Sequence, residues 1–430
     1  MKEKICNFLK QYKMPVFLAL ITIMLFFGGV CAPLWIVASL LTILFFAVCS
    51  TTEILGVLLY SISFSGIGLH YIISLIGAFV VIAVRYGIDV AKKRKEFYVL
   101  PFAITCLIVV VWSCVHYHID SAGFEQGALL LALMFGIYLM FVSYDKVDIH
   151  KCFLYLIFGF AVSMIFSPAS LIFDNYSVAL YHFDGTYKRF QFLNYHYNTV
   201  AMIALFSVSY YIYAMFNNKG KWWENAIAIA VSFVIGIMTL SKAFMLVCVG
   251  FVCYAGLMIV LKYKKKSLKI LLPALAFMLV LGVVFRELLF KFLNRFTYLF
   301  TESNLLDQIT TGRYSIWCDY VSQIVSSIPQ MLFGVGFFSQ MGYVLGPHSV
   351  FVHILYRVGF IGIIALCMLV YVYAKNSKSK PKLTLSNCLP ILTWLFLALE
   401  EQVFSDRFFL FLVFAFMLTL VPKTEKNENN

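Results

Sequence analysis

Long apolar runs separated by short polar breaks fill most of the chain, lying near 14–31, 33–50, 54–67, 69–85, 98–116, 124–143, 152–172, 198–216, 223–240, 243–261, 270–285, 350–374, 385–403 and 407–422. Runs of about 17–25 apolar residues are the length of a bilayer-spanning helix, in which every backbone group is bonded internally. The pattern therefore predicts an all-α, polytopic membrane protein of about 12–14 transmembrane helices. The stretch 54–85 is broken only at Ser65-Gly66-Ile67-Gly68. It reads equally as a hairpin, a re-entrant segment or one tilted helix. The whole chain, 1–430, is expected to be one membrane domain, ending in a polar cytoplasmic tail at 423–430.

The one long polar excursion, 285–349, is also patterned. Leu288, Phe292, Phe296 and Phe300 recur every four residues, while Glu287, Lys291 and Arg295 take the opposite face. That spacing predicts an amphipathic helix lying on a membrane surface. A second helix is expected to start at Thr310 or Thr311, either of which can cap it, to repeat Ile316, Tyr320, Ile324 and Ile328, and to be stopped by Pro329.

Composition agrees with the pattern: 62% of residues are hydrophobic, only 12% are charged, and the mean hydropathy is +0.91. A soluble domain is nearer 45–50% apolar. The net charge of +13 does not imply nucleic acid, because the basic residues cluster between apolar runs. Lys92 to Lys95, Lys219 with Lys221, Lys262 to Lys269, Lys375 to Lys382, and Lys423 with Lys426 all fall on one side of the expected alternation. By the positive-inside rule that side is cytoplasmic, with both termini inside and the loops 173–197 and 285–349 outside. The basic opening Met1–Lys13 is followed by two spans in succession, so the first is expected to be a retained helix and not a cleaved signal. Seven cysteines, Cys31, Cys49, Cys106, Cys114, Cys248, Cys253 and Cys367, fall in or beside apolar runs and only Cys318 in the long loop, so the loop has no disulfide partner within it.

Several residues are suited to chemistry. Arg313 falls in the first turn of the second loop helix, where a cation opposes the helix dipole unless an anion is held there too. It reads either as a phosphate-binding arginine or as a surface arginine paired with Asp307 or Glu302. His348 follows Pro347 at the mouth of an apolar run and can accept a proton near neutral pH. Arg357 lies nine residues past His348, with Glu400, Glu401 and Arg407 at the ends of the last two runs. Such charges line a cavity or pair with one another, as Arg357 with Glu400. Tyr187, Tyr195 and Tyr197 belong to an aromatic-rich outward loop that could stack on sugars or form an aromatic belt.

Gly312-Arg313 with Ile316-Trp317, Pro329 ahead of Leu332-Phe333-Gly334-Val335-Gly336, and Pro347-His348-Ser349 with Gly359 and Gly362 beyond resemble the O-antigen ligase and O-antigen polymerase superfamily. The layout is similar too, with its late outward loop and few closing spans. The resemblance implies a glycosyltransferase of the bacterial cytoplasmic (inner) membrane that uses a glycan on undecaprenyl diphosphate. It implies Arg313 as a diphosphate-binding and catalytic arginine, and His348 as the histidine near the acceptor. Where such proteins carry a Ser-Arg pair opening an earlier helix, this chain has Ser241-Lys242, and lysine lacks the bidentate fork that suits phosphate. Arg189, ahead of Asn194 and Asn198, resembles a further family arginine, although those asparagines also read as helix caps.

No Asp-x-Asp pair occurs in the chain, so a metal-independent reaction with no cofactor is expected. Expected partners are the lipid-linked oligosaccharide, membrane lipid, a flippase and a chain-length regulator, with no nucleic acid. Three functions follow: a polymerase of surface polysaccharide repeat units, a ligase to lipid A core or another acceptor, or a transporter or flippase of lipid-linked sugars. The Lys-, Phe- and Tyr-rich composition favours the polymerase.

Overall fold

The computed structural model describes chiefly residues 2–64, 69–93, 148–166, 181–184, 189–192, 197–264, 313–336, 348–376 and 385–400. These are helical, as the all-α expectation required, apart from a two-stranded ribbon of β1 (Tyr181–Asp184) and β2 (Arg189–Phe192). The expected spans at 98–116, 124–143 and 407–422 and the surface helix at 288–300 lie outside the described residues. The chain divides into two compact units, one containing the helices before residue 183 and the other those after residue 196.

In the first unit α1 (Lys2–Gly28), α2 (Ala32–Val48), α3 (Thr51–Ser61), α4 (His70–Lys93) and α5 (Ile149–Phe166) follow in order. Ser50-Thr51-Thr52-Glu53 starts α3 with a reciprocal capping box, in which the Ser50 side chain takes the Glu53 N–H and the Glu53 carboxylate takes the Ser50 N–H at 2.8 Å. The same carboxylate receives Lys13 Nζ at 2.8 Å, which places the start of apolar α1 beside the start of α3. Asp148 N–H donates to Thr52 Oγ1 at 2.9 Å, so α5 begins at that end as well. Along α3 and α5 the contacts advance in step, with Gly56 against the Tyr155 ring and Gly159 against the Tyr60 carbonyl. The two helices therefore run parallel, packed so closely that a Cβ on Gly159 would overlap the Tyr60 backbone.

The stretch 54–85 resolves into two helices. After α3 a 3-10 turn, Ile62–Phe64, closes the ascent, and α4 begins at His70. His70 faces Ser39 and Gly77 faces Ile43, so α4 runs parallel to α2 and antiparallel to α3. The segment is a helical hairpin. Because Ser39 is seven residues into α2, α4 starts about 10 Å below the start of α2.

In the second unit α6 (Tyr197–Phe216), α7 (Trp222–Met238) and α8 (Lys242–Tyr263) form consecutive antiparallel passes. Lys262 Nζ donates to the Phe216 carbonyl at 3.0 Å, and Lys219 Nζ donates to Tyr213 Oη at 2.7 Å. Three lysines, 219, 221 and 262, thus gather at one end, while Tyr197 and Lys242 start their helices at the other. Gly236 admits the Phe244 ring where α7 turns into α8. α6 is covered by α7, α8 and the last of the described helices, α12 (Leu385–Glu400).

Among the described residues two helices are long and apolar enough to cross a membrane, Asn198–Phe216 and Ala243–Lys262; the shorter apolar helices run 10–17 residues. The first is 83% buried, as a core helix would be, and the second only 17% buried.

The Lys13–Glu53 pair gives a pH test. Burial pulls the Glu53 carboxyl upward, but the Lys13 hydrogen bond, those from Ser50 and the Lys13 charge together outweigh it and hold it below its usual range. A carboxyl with a lowered folded value stabilises fully above the unfolded value of ~4.3 and loses that contribution as pH falls through the folded value. Thermal unfolding of the purified protein should therefore show an acid-side loss, of about 1 kcal/mol or less for a partly exposed pair, that Glu53→Gln lacks.

Candidate functional site

Two consecutive short helices and a later long one pack into one assembly in the second unit. α9 (Arg313–Ile324) and the short α10 (Ile328–Phe333) both lie against α11 (Val350–Asn376). Ile316, Tyr320 and Ile324 do form the inward face of α9, as their spacing predicts. Tyr320 and Ile324 join Val335 and Tyr356 in a buried cluster flanked by Val352 and Leu355. The Tyr320 and Tyr356 rings meet edge to face at 4.9 Å, a contact contributing about 0.5–1.5 kcal/mol beyond its buried area.

Two expectations for this region are corrected. α9 ends at Ile324 and Ile328 is 70% exposed, so Ile328 does not continue the buried stripe. Pro329 does not stop α9; it lies in the first turn of α10, capped by the Ser327 hydroxyl, which accepts the Gln330 N–H at 3.3 Å. A proline lacks only an N–H that would be unsatisfied there in any case.

The Gly334-Val335-Gly336 segment is fastened to α11 through backbone. Val335 N–H donates to the Tyr356 carbonyl at 2.8 Å and Gly336 N–H to the Arg357 carbonyl at 2.9 Å. Those carbonyls face the segment because α11 is broken at Gly359, with φ 59° and ψ −166°. Gly334 is also left-handed, at φ 72°. A Cβ on Gly334 would overlap the Arg357 carbonyl group, and one on Gly359 the Leu332 carbonyl group. Both glycines are required twice, by dihedral and by space.

Arg357 is 6% exposed. Its Nε donates to His353 Nε2 at 3.2 Å and its Nη1 to the Gly336 carbonyl at 3.3 Å. Since a guanidinium only donates, His353 Nε2 must present a lone pair. The expected pairing with Glu400 falls on a side chain outside the described residues. His353 and the Gly336 carbonyl are partners of Arg357 that the sequence reading did not identify; the i, i+4 spacing of His353 and Arg357 was the available signal.

Arg313 is the first residue of α9 and is buried, at 7% exposure. Its expected partners Asp307 and Glu302, and the caps Thr310 and Thr311, lie outside the described residues. His348 is half-buried two residues before α11 and adopts φ 43°, a left-handed conformation uncommon for a side-chain-bearing residue. The adjoining Ser349 is buried and its carbonyl accepts the His353 N–H at 2.9 Å, opening the helix that carries Arg357. Arg313, the glycine segment and His348 thus sit on elements that all pack on or lead into α11.

The remaining candidates belong to other elements. Lys242 is the first helical residue of α8, after Ser241, whose hydroxyl caps the helix, and Leu240 at φ 51°. Arg189 opens β2 and Tyr197 opens α6. The side chains of these three, and all of Tyr187, Tyr195 and Asn194, lie outside the described residues. Asn198 stands inside the first turn of α6 and not at its cap. No family model matches the chain, and no curated protein matches it in sequence.

Substitution should separate the two supports of this assembly. Gly334→Ala and Gly359→Ala are each expected to cost at least about 1–3 kcal/mol, the range for a side chain forced left-handed, before any overlap is added. Arg357→Met should cost about 1–3 kcal/mol for each buried acceptor it strands, with Arg357→Lys recovering part of the loss. Unfolding midpoints in detergent would measure all four.

Proposed function

We propose that this chain is a polytopic membrane glycosyltransferase that joins undecaprenyl-diphosphate-linked oligosaccharide repeat units into a surface polysaccharide. The observation that carries the reading is the packing of α9 and the Gly334–Gly336 segment on α11. It gathers the three motif pieces behind the family resemblance into one assembly, with a buried arginine opening one helix and a histidine at the mouth of another.

A membrane setting is supported by large apolar side chains left exposed along helix faces. Leu40, Leu44 and Val48 on α2 are 56%, 68% and 72% exposed, and Leu246, Val249 and Leu257 on α8 are 56%, 64% and 48% exposed. Surfaces of that kind mark contact with lipid or with other protein. In this reading the chain resides in the bacterial cytoplasmic membrane, both termini are cytoplasmic, and the α9–α11 assembly faces outward. The gathering of Lys219, Lys221 and Lys262 at one end of the α6–α8 layer accords with that orientation.

The chemistry needs charge stabilisation and a base. Breaking the anomeric C–O bond of the donor builds negative charge on the departing diphosphate, and the acceptor hydroxyl must lose its proton as it attacks. Arg313, desolvated at a helix start, is the cation placed to meet that charge, with Lys242 and Arg189 as further candidates. His348 is the group to orient or deprotonate the acceptor hydroxyl. A ligase would use the same residues with a different acceptor. The transport reading gains one observation, the α3–α4 hairpin, whose second helix starts below its neighbour's as discontinuous helices in transporters do.

Purified protein in nanodiscs, supplied with the host's undecaprenyl-diphosphate repeat unit, should produce a ladder of polymer on a gel. His348→Ala and Arg313→Ala should each slow ladder formation about 10²-fold or more. Transfer only to a separate acceptor would make the protein a ligase. Movement of intact lipid-linked sugar across vesicles with no new glycosidic bond would overturn the catalytic reading.

A further inference from the structure

The tip of the α3–α4 hairpin carries a buried polar cluster that the glycosyltransferase reading does not use. His70, the first residue of α4, has zero exposure. Its Nδ1 lies 3.1 Å from Ser39 Oγ, and Ser39 Oγ donates to the Trp35 carbonyl at 2.7 Å. A serine hydroxyl has a single proton. With that proton committed to Trp35, Ser39 can only accept from His70, so the ring proton of His70 sits on Nδ1. Nε2 is left as a lone pair inside the helix packing.

Among the described residues no group donates to Nε2. Ser74 follows one turn later on the same face of α4, is also fully buried, and its Oγ has no partner among the described residues. Ser61 Oγ, at the end of α3, is in the same condition. A buried polar atom left unsatisfied costs about 1–3 kcal/mol, and folded proteins fill such positions with protein groups or ordered water. The occupant must donate a proton to Nε2 and carry little charge, since none of these four side chains is a carboxylate that could balance a cation. A neutral donor that can also accept from a serine hydroxyl meets both demands.

We propose that the hairpin tip is a hydrated binding site, in which a water molecule donates to His70 Nε2 and accepts from Ser74 Oγ–H. The site makes the start of α4 a wet point inside the helix packing, and it stands whether or not the chain transfers sugars.

Solid-state NMR of protein labelled with 15N-histidine in lipid bilayers tests this directly. The His70 resonances are assigned by difference against His70→Phe, or against His70→Gln if the first variant does not fold. The expected spectrum shows the proton on Nδ1, a bare Nε2, and transfer of water magnetisation to Nε2 despite its burial. Ser74→Ala should weaken that transfer several-fold while leaving the proton on Nδ1. A proton on Nε2, or no transfer from water in the wild-type protein, would overturn the proposal.

Discussion

Two backbone carbonyls released by a break in a helix hold the candidate site together. In an uninterrupted α11 the carbonyls of Tyr356 and Arg357 would be spent within the helix. The left-handed turn at Gly359 presents them sideways, and the N–H groups of Val335 and Gly336 take them up. The polar groups of an extended segment are thereby satisfied about 10 Å along a helix from its first residue, Val350. With the segment fixed, Val335 enters the cluster of Tyr320, Ile324 and Tyr356, and α9 is held in turn. The Gly336 carbonyl then faces Arg357, so the same segment that depends on the helix break also solvates that buried cation.

That dependence explains which parts of the chain were readable. Periodicity reports what a helix does with its own faces, and it gave Ile316, Tyr320 and Ile324 correctly. It carries no information about where a helix ends when the next one begins with an ambiguous residue. Proline forbids a helix interior but favours a first turn, and without the Ser327 cap in view the two cannot be told apart. In the sequence the glycines of 332–336 and 359 stood only as pieces of a family-like motif; that each exists for the other is a statement about two segments more than twenty residues apart, which no local pattern encodes. Likewise the direction of 54–85 followed only from contacts between Ser39 and His70 and between Ile43 and Gly77.

Charge was legible in position but not in partnership. Arg357 stood out as a cation inside an apolar run, and the natural expectation was an acid. The structure gives it a neutral imidazole and a carbonyl as acceptors, and the side chain of Glu400 lies outside the described residues. Glu53 shows the reverse case. Its partner Lys13 lies forty residues away, yet Ser50-Thr51-Thr52-Glu53 was a complete capping signature in the sequence, and it marks the end of the bundle where α3 and α5 begin and the apolar part of α1 enters.

The enclosure of α6 has a consequence for how the molecule is made. α7 and α8 emerge directly after α6 and can cover two of its sides at once. The third is covered by α12, whose first residue, Leu385, follows the end of α6 at Phe216 by a long interval of chain. At ordinary elongation rates of about 5–20 residues per second that interval lasts on the order of ten seconds or more. Until α12 is made, α6 must therefore wait with one flank exposed, and whatever shields that flank, lipid or an insertion factor, is displaced only after those later residues emerge.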